Sequence, residues 1–185
     1  MSYFPFFKEI EGEKCLVIGG GKVAARKISR LKGFGVKIKV VAPSIVSDIE
    51  AVAQACDNIS VERRIFTPQD IENADFVIAA AGEEVDKEAA RLCKERSIPV
   101  NVVDNQELCD FIFPSIIRKG DMVAGFVTGG KSPYVAAKVR RDCEMNISDN
   151  IEDILDYLAK IRKLAKDRIS DERKRAAYIR DVSEF

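Results

Sequence analysis

Apolar and polar positions along this chain follow two periods in turn. Short runs of mostly apolar residues fall at 15–18, 36–42, 75–81 and 98–103, with a more mixed run at 59–65. They are bounded by Gly, Pro, Asn and Asp and are rich in Val and Ile, which predicts five β-strands. The runs read as continuous rather than alternating, the mark of strands buried on both faces. Between them the period changes to that of a helix. Val23, Ala24, Ile28 and Leu31 form one stripe ended by Gly33 and Gly35, and Ile45, Ile49, Val52 and Ala53 form a second. Thr67, Pro68 and Asp70 read as an N-cap, a first-turn proline and an acidic first turn, which predicts a helix there, and 85–96 predicts another. Five strands joined by four crossovers imply an α/β fold with a doubly wound parallel sheet.

Past Phe111 the pattern shifts. Residues 115–118 and 122–128, joined by Lys119-Gly120-Asp121, predict a hairpin, and Gly129-Gly130-Lys131-Ser132-Pro133 opens a helix to about Glu144. Ile151, Ile154, Leu155, Leu158, Ile161 and Leu164 form a further helical stripe, and Ser170, Asp171 and Glu172 start a last, charged helix. The expected organisation is 1–113, 114–145 and 146–185. The middle block is too short to fold alone, and a symmetric dimer would cover it. The aromatic start, 3–7, is expected to pack under the first strand.

Composition narrows the function. Lys plus Arg and Asp plus Glu each number 30, so no bulk charge draws the chain to nucleic acid or an anionic membrane, and any anion site is local. No apolar run nears the roughly 20 residues of a membrane span, and the first residues lack a signal-peptide pattern, so the expectation is cytoplasmic. Five scattered cysteines without C-x-x-C support neither a disulfide framework nor a zinc site. Histidine is absent, which leaves proton transfer to carboxylate, lysine, tyrosine, cysteine or water.

Three stretches carry candidate chemistry. Gly19, Gly21 and Ala24 have the G-x-G-x-x-A spacing between a strand and a helix, where backbone N–H groups meet a dinucleotide pyrophosphate. The acidic residue expected after the second strand to hold a ribose is replaced by Ala42-Pro43-Ser44, so ribose recognition would use Ser44 and backbone. Asn101 and Asp104 close the fifth strand, and Asp104 is either an acid/base group or the cap of a turn. Thr128 to Pro133 forms a second anion cradle, with Lys22, Arg118, Lys119, Lys131, Lys138, Arg140 and Arg141 as candidate cations or as ordinary surface charges.

The motifs G-G-G-K-V-A-A-R-K, V-V-A-P, N-V-V-D-N, F-I-F-P-S-I-I and T-G-G-K-S-P, in that order, strongly resemble the precorrin-2 dehydrogenases, the siroheme synthase N-terminal family. The resemblance runs from about Phe4 to Glu144. It implies a Rossmann-type sheet followed by a small α+β dimerisation region and a short helical C-terminal part, in a homodimer. It implies NAD-dependent oxidation of precorrin-2 to sirohydrochlorin, with iron insertion in some members. It places NAD against Gly19, Gly20, Gly21, Lys22, Val23, Pro43, Ser44 and Gly82. It makes Asp104 the catalytic residue, serving metal insertion where that occurs, with no stable metal site. The substrate, a tetrapyrrole with eight carboxylates, is expected at Asn101, Ser115, Thr128, Gly129, Gly130, Lys131 and Ser132. Ala81-Gly82-Glu83 departs from the polar pair usual in the family. A nucleotide-sensing binding module without catalysis is the alternative from another class.

Overall fold

In a computed structural model that describes residues 3–183, the first apolar run forms β1 (Lys14–Ile18), and the glycine turn leads into α1 (Lys22–Leu31). The alternation continues through β2 (Lys37–Val41), α2 (Ser47–Ala55), β3 (Ile59–Glu62), β4 (Phe76–Ala79), α3 (Glu83–Glu95) and β5 (Val100–Val102). The strands are parallel, in the order β3-β2-β1-β4-β5. The order reverses between β1 and β4, which places the ligand crevice of such a sheet at the carboxyl ends of those two strands. This is an α/β, Rossmann-like fold.

Register explains why these residues make this sheet. Val61, Val40, Val17, Ile78 and Asn101 lie side by side in one row across the five strands. Val40, Val17 and Ile78 are fully buried beneath Ala24 and Ile28 of α1. Burying each such aliphatic side chain contributes roughly 1.5–3 kcal/mol. Leu16, Ile18, Val77 and Ala79 point to the opposite face and pack on Ala89, Ala90 and Cys93 of α3. Only Asn101 breaks the apolar row.

The third crossover differs from its expectation. Thr67 and Asp70 do form a reciprocal capping box with Pro68 in the first turn, but they start a 3-10 turn of six residues, Pro68–Asn73. Only two residues separate it from β4, so there is no chain for an α-helix. The turn is fastened instead by charge: Arg64 donates to both Asp70 oxygens, 2.7 and 2.5 Å, and Lys39 donates to Asp70 at 3.2 Å. The aromatic start is a second correction. Phe4, Phe6 and Phe7 are 83, 81 and 72% exposed, because β1 is already enclosed by the helices on both faces.

Among the described residues the chain divides into two compact units, 3–113 and 114–183. The second unit holds an antiparallel hairpin of β6 (Ser115–Lys119) and β7 (Met122–Phe126), with Ile117 as its buried centre. It also holds α4 (Pro133–Met145), α5 (Ile151–Arg168) and α6 (Glu172–Asp181). Lys119 Nζ ties the hairpin to the α4–α5 link through Ile147 O at 3.1 Å and Asp149 at 3.2 Å. The apolar stripe of α5 is only partly covered, and Leu164 remains 54% exposed. Among the described residues no helix is long and apolar enough to cross a membrane.

Candidate functional site

The glycines after β1 divide their work. A Cβ on Gly19, at φ +116°, would stand 2.2 Å from Ala80 O, and one on Gly20 would stand 2.2 Å from Ser44 O. Both glycines therefore exist so that β1 can pass close to the ends of β4 and β2. Gly21 is different, because a Cβ there would meet nothing within 4 Å. It is the N-cap of α1 and offers no side-chain acceptor, and the first turn contains no acid. The first bond of the helix runs from Ala25 N to Gly21 O, 3.0 Å, so the N–H groups of Lys22, Val23 and Ala24 have no helical acceptor. Open space, free N–H groups and the positive end of the helix dipole fit a pyrophosphate. Pro43 and Ser44 lie exposed beside this turn, held there by the bond from Val46 N to Gly20 O, 2.9 Å.

Beyond β4 and β5 lies a cleft of about 590 Å³, lined by Val23, Gly82, Glu83, Asp86, Lys87 and Asp104 among others. Gly82, at φ +121°, caps α3 and is open on its Cα side like Gly21. The first turn of α3 carries Glu83, Glu84 and Asp86, so this helix end is already matched by negative charge. Of the two helix starts at this edge, α1 suits an anion and α3 suits a neutral or cationic group.

Asp104 follows β5 at φ +60°, with an exposed side chain. Asp is one of the few residues that adopts this left-handed conformation readily. The bond from Val103 N to Ala79 O, 2.9 Å, fixes the strand just before it. Asp86 lines the same cleft and was not singled out from the sequence. Its carboxylate is buried and accepts from Ala81 N at 2.9 Å and Gly82 N at 3.3 Å, holding the β4–α3 turn. Burial pushes the Asp86 carboxyl up from the ordinary range, and the charge of Asp104 adds to this, while the two N–H donors oppose it. The available signal was an acid placed on the inward stripe of a helix, in line with Ala89, Ala90 and Cys93.

Asn101 is held inside the fold. It is 6% exposed, does not line the cleft, and its amide is engaged internally. Lys27 Nζ donates to its Oδ1 at 2.6 Å, and its Nδ2 donates to Phe111 O at 2.8 Å. The outer edge of β5 is closed in the same way. Val100 N donates to Asp110 Oδ2 at 3.0 Å, Asp110 N donates to Val100 O at 2.9 Å, and Val102 N donates to Cys109 Sγ at 3.1 Å. A polar row end is thus satisfied by chain from 109–111 in place of a sixth strand.

The cradle lies in the second unit. Gly129 and Gly130 take φ +62° and +80°, Ser132 N donates to Thr128 Oγ1 at 3.1 Å, and that hydroxyl donates to Ser132 O at 2.9 Å. Ser132 Oγ caps α4 by accepting from Val135 N at 3.3 Å. The two hydroxyls therefore shape the loop, and the exposed Lys131 is the group left to meet an anion. Among the remaining candidate cations Lys119, Lys138 and Arg140 are paired with Asp149, Asp142 and Glu144. Ser115 starts β6, paired with Phe126.

The model of a family described as putative NAD(P)-binding matches residues 6–115. The siroheme synthase of Nitrosomonas eutropha is 35% identical over 179 residues, 96% of this chain and 38% of that protein. The siroheme synthase of Thioalkalivibrio sulfidiphilus is 40% identical over 145 residues, 78% of this chain and 29% of that protein. The chain thus spans less than two fifths of the length of these curated relatives. Among solved structures, SirC, precorrin-2 dehydrogenase, superposes with a TM-score of 0.76 over 98% of this chain and 90% of that one, at 20% identity. That likeness is one of fold.

Proposed function

The chain belongs to the putative NAD(P)-binding family, and from that premise we propose that it is an NAD-dependent dehydrogenase that oxidises precorrin-2 to sirohydrochlorin. The observation that carries the reading is the placement of a carboxylate, Asp104, in one cleft with Val23 of the glycine-turn helix and the open Gly82. The names and the identity levels of the siroheme synthases support the substrate. When bound, NAD supplies the hydride acceptor.

In this reading the free N–H groups of Lys22, Val23 and Ala24 hold the pyrophosphate, with Gly19 and Gly20 shaping the turn and Pro43 and Ser44 beside the ribose. The acidic start of α3, with Gly82 and Asp86, faces the positively charged oxidised nicotinamide. No acidic ribose contact and no arginine stand after β2, where the chain reads Ala42-Pro43-Ser44, and we read the preferred cofactor as NAD. Dehydrogenation removes a hydride from one carbon and a proton from its neighbourhood, and Asp104 accepts the proton. Lys131, at the loop Thr128 to Ser132 before α4, would meet a substrate carboxylate. The proposed assembly is a homodimer.

Incubation with precorrin-2 and NAD should produce NADH, followed by absorbance, and a folded protein that produces none would defeat the proposal. Asp104→Asn keeps the side-chain shape and tolerates the φ of +60°, so it should abolish the reaction with NAD affinity unchanged. Full activity in that variant would remove Asp104 from the role. Use of the same carboxylate to take up protons during iron insertion is tested with sirohydrochlorin and Fe2+, against the spontaneous rate.

A further inference from the structure

Lys27 closes the glycine motif G-G-G-K-V-A-A-R-K, yet the proposed cofactor contacts do not use it. Its ammonium reaches from α1 across the sheet to the polar end of the row, where it donates to Asn101 Oδ1 at 2.6 Å. It stands 4.1 Å from the centroid of the Phe113 ring. Phe113 packs on Phe111 at 5.9 Å, and Phe111 O accepts from the same Asn101 amide. One charged group therefore joins the helix whose first turn would hold the pyrophosphate to the strand whose end carries Asp104. No carboxylate among the described residues forms an ion pair with it.

We propose, on the reading of function above, that Lys27 is a positioning residue for the reaction at Asp104: its ammonium, clamped between Asn101 and Phe113, fixes the carboxyl end of β5 relative to α1 only while it is charged. A charge-assisted bond and a cation–π contact are both weakened when the amine becomes neutral. Burial lowers Lys27 to about 8, within reach of ordinary assays. The charged and titratable groups around it come from three places. Arg26 and Arg30 on α1 lower it further, while Cys109, from the loop that closes β5, and Asp104, beyond the end of β5, raise it. The Cys109 thiol is itself pushed up, mainly by burial. The clamp is present below about pH 8 and is lost as pH rises through that value.

The test compares kcat against pH for the full chain with precorrin-2 and NAD in the wild type, Lys27→Arg, Lys27→Met and Cys109→Ser. The wild type should lose kcat above about pH 8, and Lys27→Arg should move that limb upward by about one pH unit or more, because a guanidinium stays charged. Lys27→Met should lower kcat about tenfold at neutral pH without the limb, with the KM for NAD within about twofold. An alkaline limb unchanged in Lys27→Arg, or one that disappears in Cys109→Ser, overturns the assignment. A second readout needs no turnover: the Asn101 side-chain amide signal of the protein alone, by NMR, should titrate near pH 8 in the wild type and stay flat in Lys27→Arg. A flat wild-type signal overturns the clamp. Absence of NADH formation with a titrating Asn101 signal overturns the reading of function and leaves the clamp supported.

Discussion

Alanine at Gly19 and alanine at Gly21 should fail in opposite ways, although the two glycines belong to one motif. At Gly19 the added Cβ falls 2.2 Å from Ala80 O, a backbone atom just past the end of β4, and the backbone sits at φ +116°. Forcing a side chain into that conformation costs about 1–3 kcal/mol. Relieving the overlap means moving the end of β4, which is bonded to β1 through Ala80 N and Ile18 O at 2.8 Å, for a further ~1–3 kcal/mol. The sum, about 2–6 kcal/mol, corresponds to a loss on the order of 10 °C in Tm for a chain of this size. At Gly21 the new methyl meets nothing within 4 Å, and φ is −86°, which alanine adopts freely. Loss of the N-cap glycine costs at most about 1 kcal/mol, or about 3 °C. The methyl does occupy the approach of the pyrophosphate, so the Kd for NAD should rise about tenfold or more, ~1.4 kcal/mol. Thermal unfolding by circular dichroism and NAD titration by calorimetry measure both quantities. Wild-type NAD affinity in Gly21→Ala, or a wild-type Tm in Gly19→Ala, would refute this division.

Three further outcomes are expected. Asp86→Ala frees the N–H groups of Ala81 and Gly82 and should weaken NAD binding about tenfold by calorimetry, with Asp86→Asn recovering part of the loss. Asp70→Asn should cost about 2–3 kcal/mol at neutral pH in urea unfolding, because it removes the charge that Arg64 and Lys39 share. The guanidinium of Arg64 holds the Asp70 carboxyl well below the usual carboxylate range, so this stability is present above that range and lost as pH falls beneath it. The gap between wild type and variant should therefore narrow in strong acid, and a constant gap would contradict the assignment. Lys131→Ala should raise the KM for precorrin-2 about fivefold and leave kcat unchanged in steady-state assays.

What could be read from the chain and what could not follow from where each signal lives. Strands buried on both faces announce themselves as continuous apolar runs, which made β1 and β4 plain, while the half-exposed edge strand β3 was legible from its Ile and Val; the crossovers through α1, α2 and α3 were legible as well. The start of the third crossover was equally clear in Thr67, Pro68 and Asp70, but a start signal carries no length, and β4 began too soon for an α-helix. Exposed Phe4, Phe6 and Phe7 misled because apolar type alone does not say whether the sheet has a free face to receive them. Asn101 looked available to a substrate because position at a strand end was visible, whereas its partners, Lys27 and Phe111, are 74 residues before it and 10 after it. Asp86 was hidden among neighbouring acids, and only its inward direction on α3 separates it from Glu83 and Glu84.

The closure of β5 by 109–111 also bears on how copies of the chain can meet. Exposed strand edges are where sheets grow, by adding a strand from a neighbour. At β5 the groups that would template such growth are already bonded to Asp110 and Cys109, so an incoming strand would first have to peel this segment away. At the other edge, β3 is four residues long and is followed at once by Arg63 and Arg64. Both ends of the sheet are thereby guarded against strand addition, one by the chain's own backbone and one by brevity and charge. Self-association through a continued five-stranded sheet is disfavoured, and with it the commonest route from a folded α/β domain to fibrous aggregates.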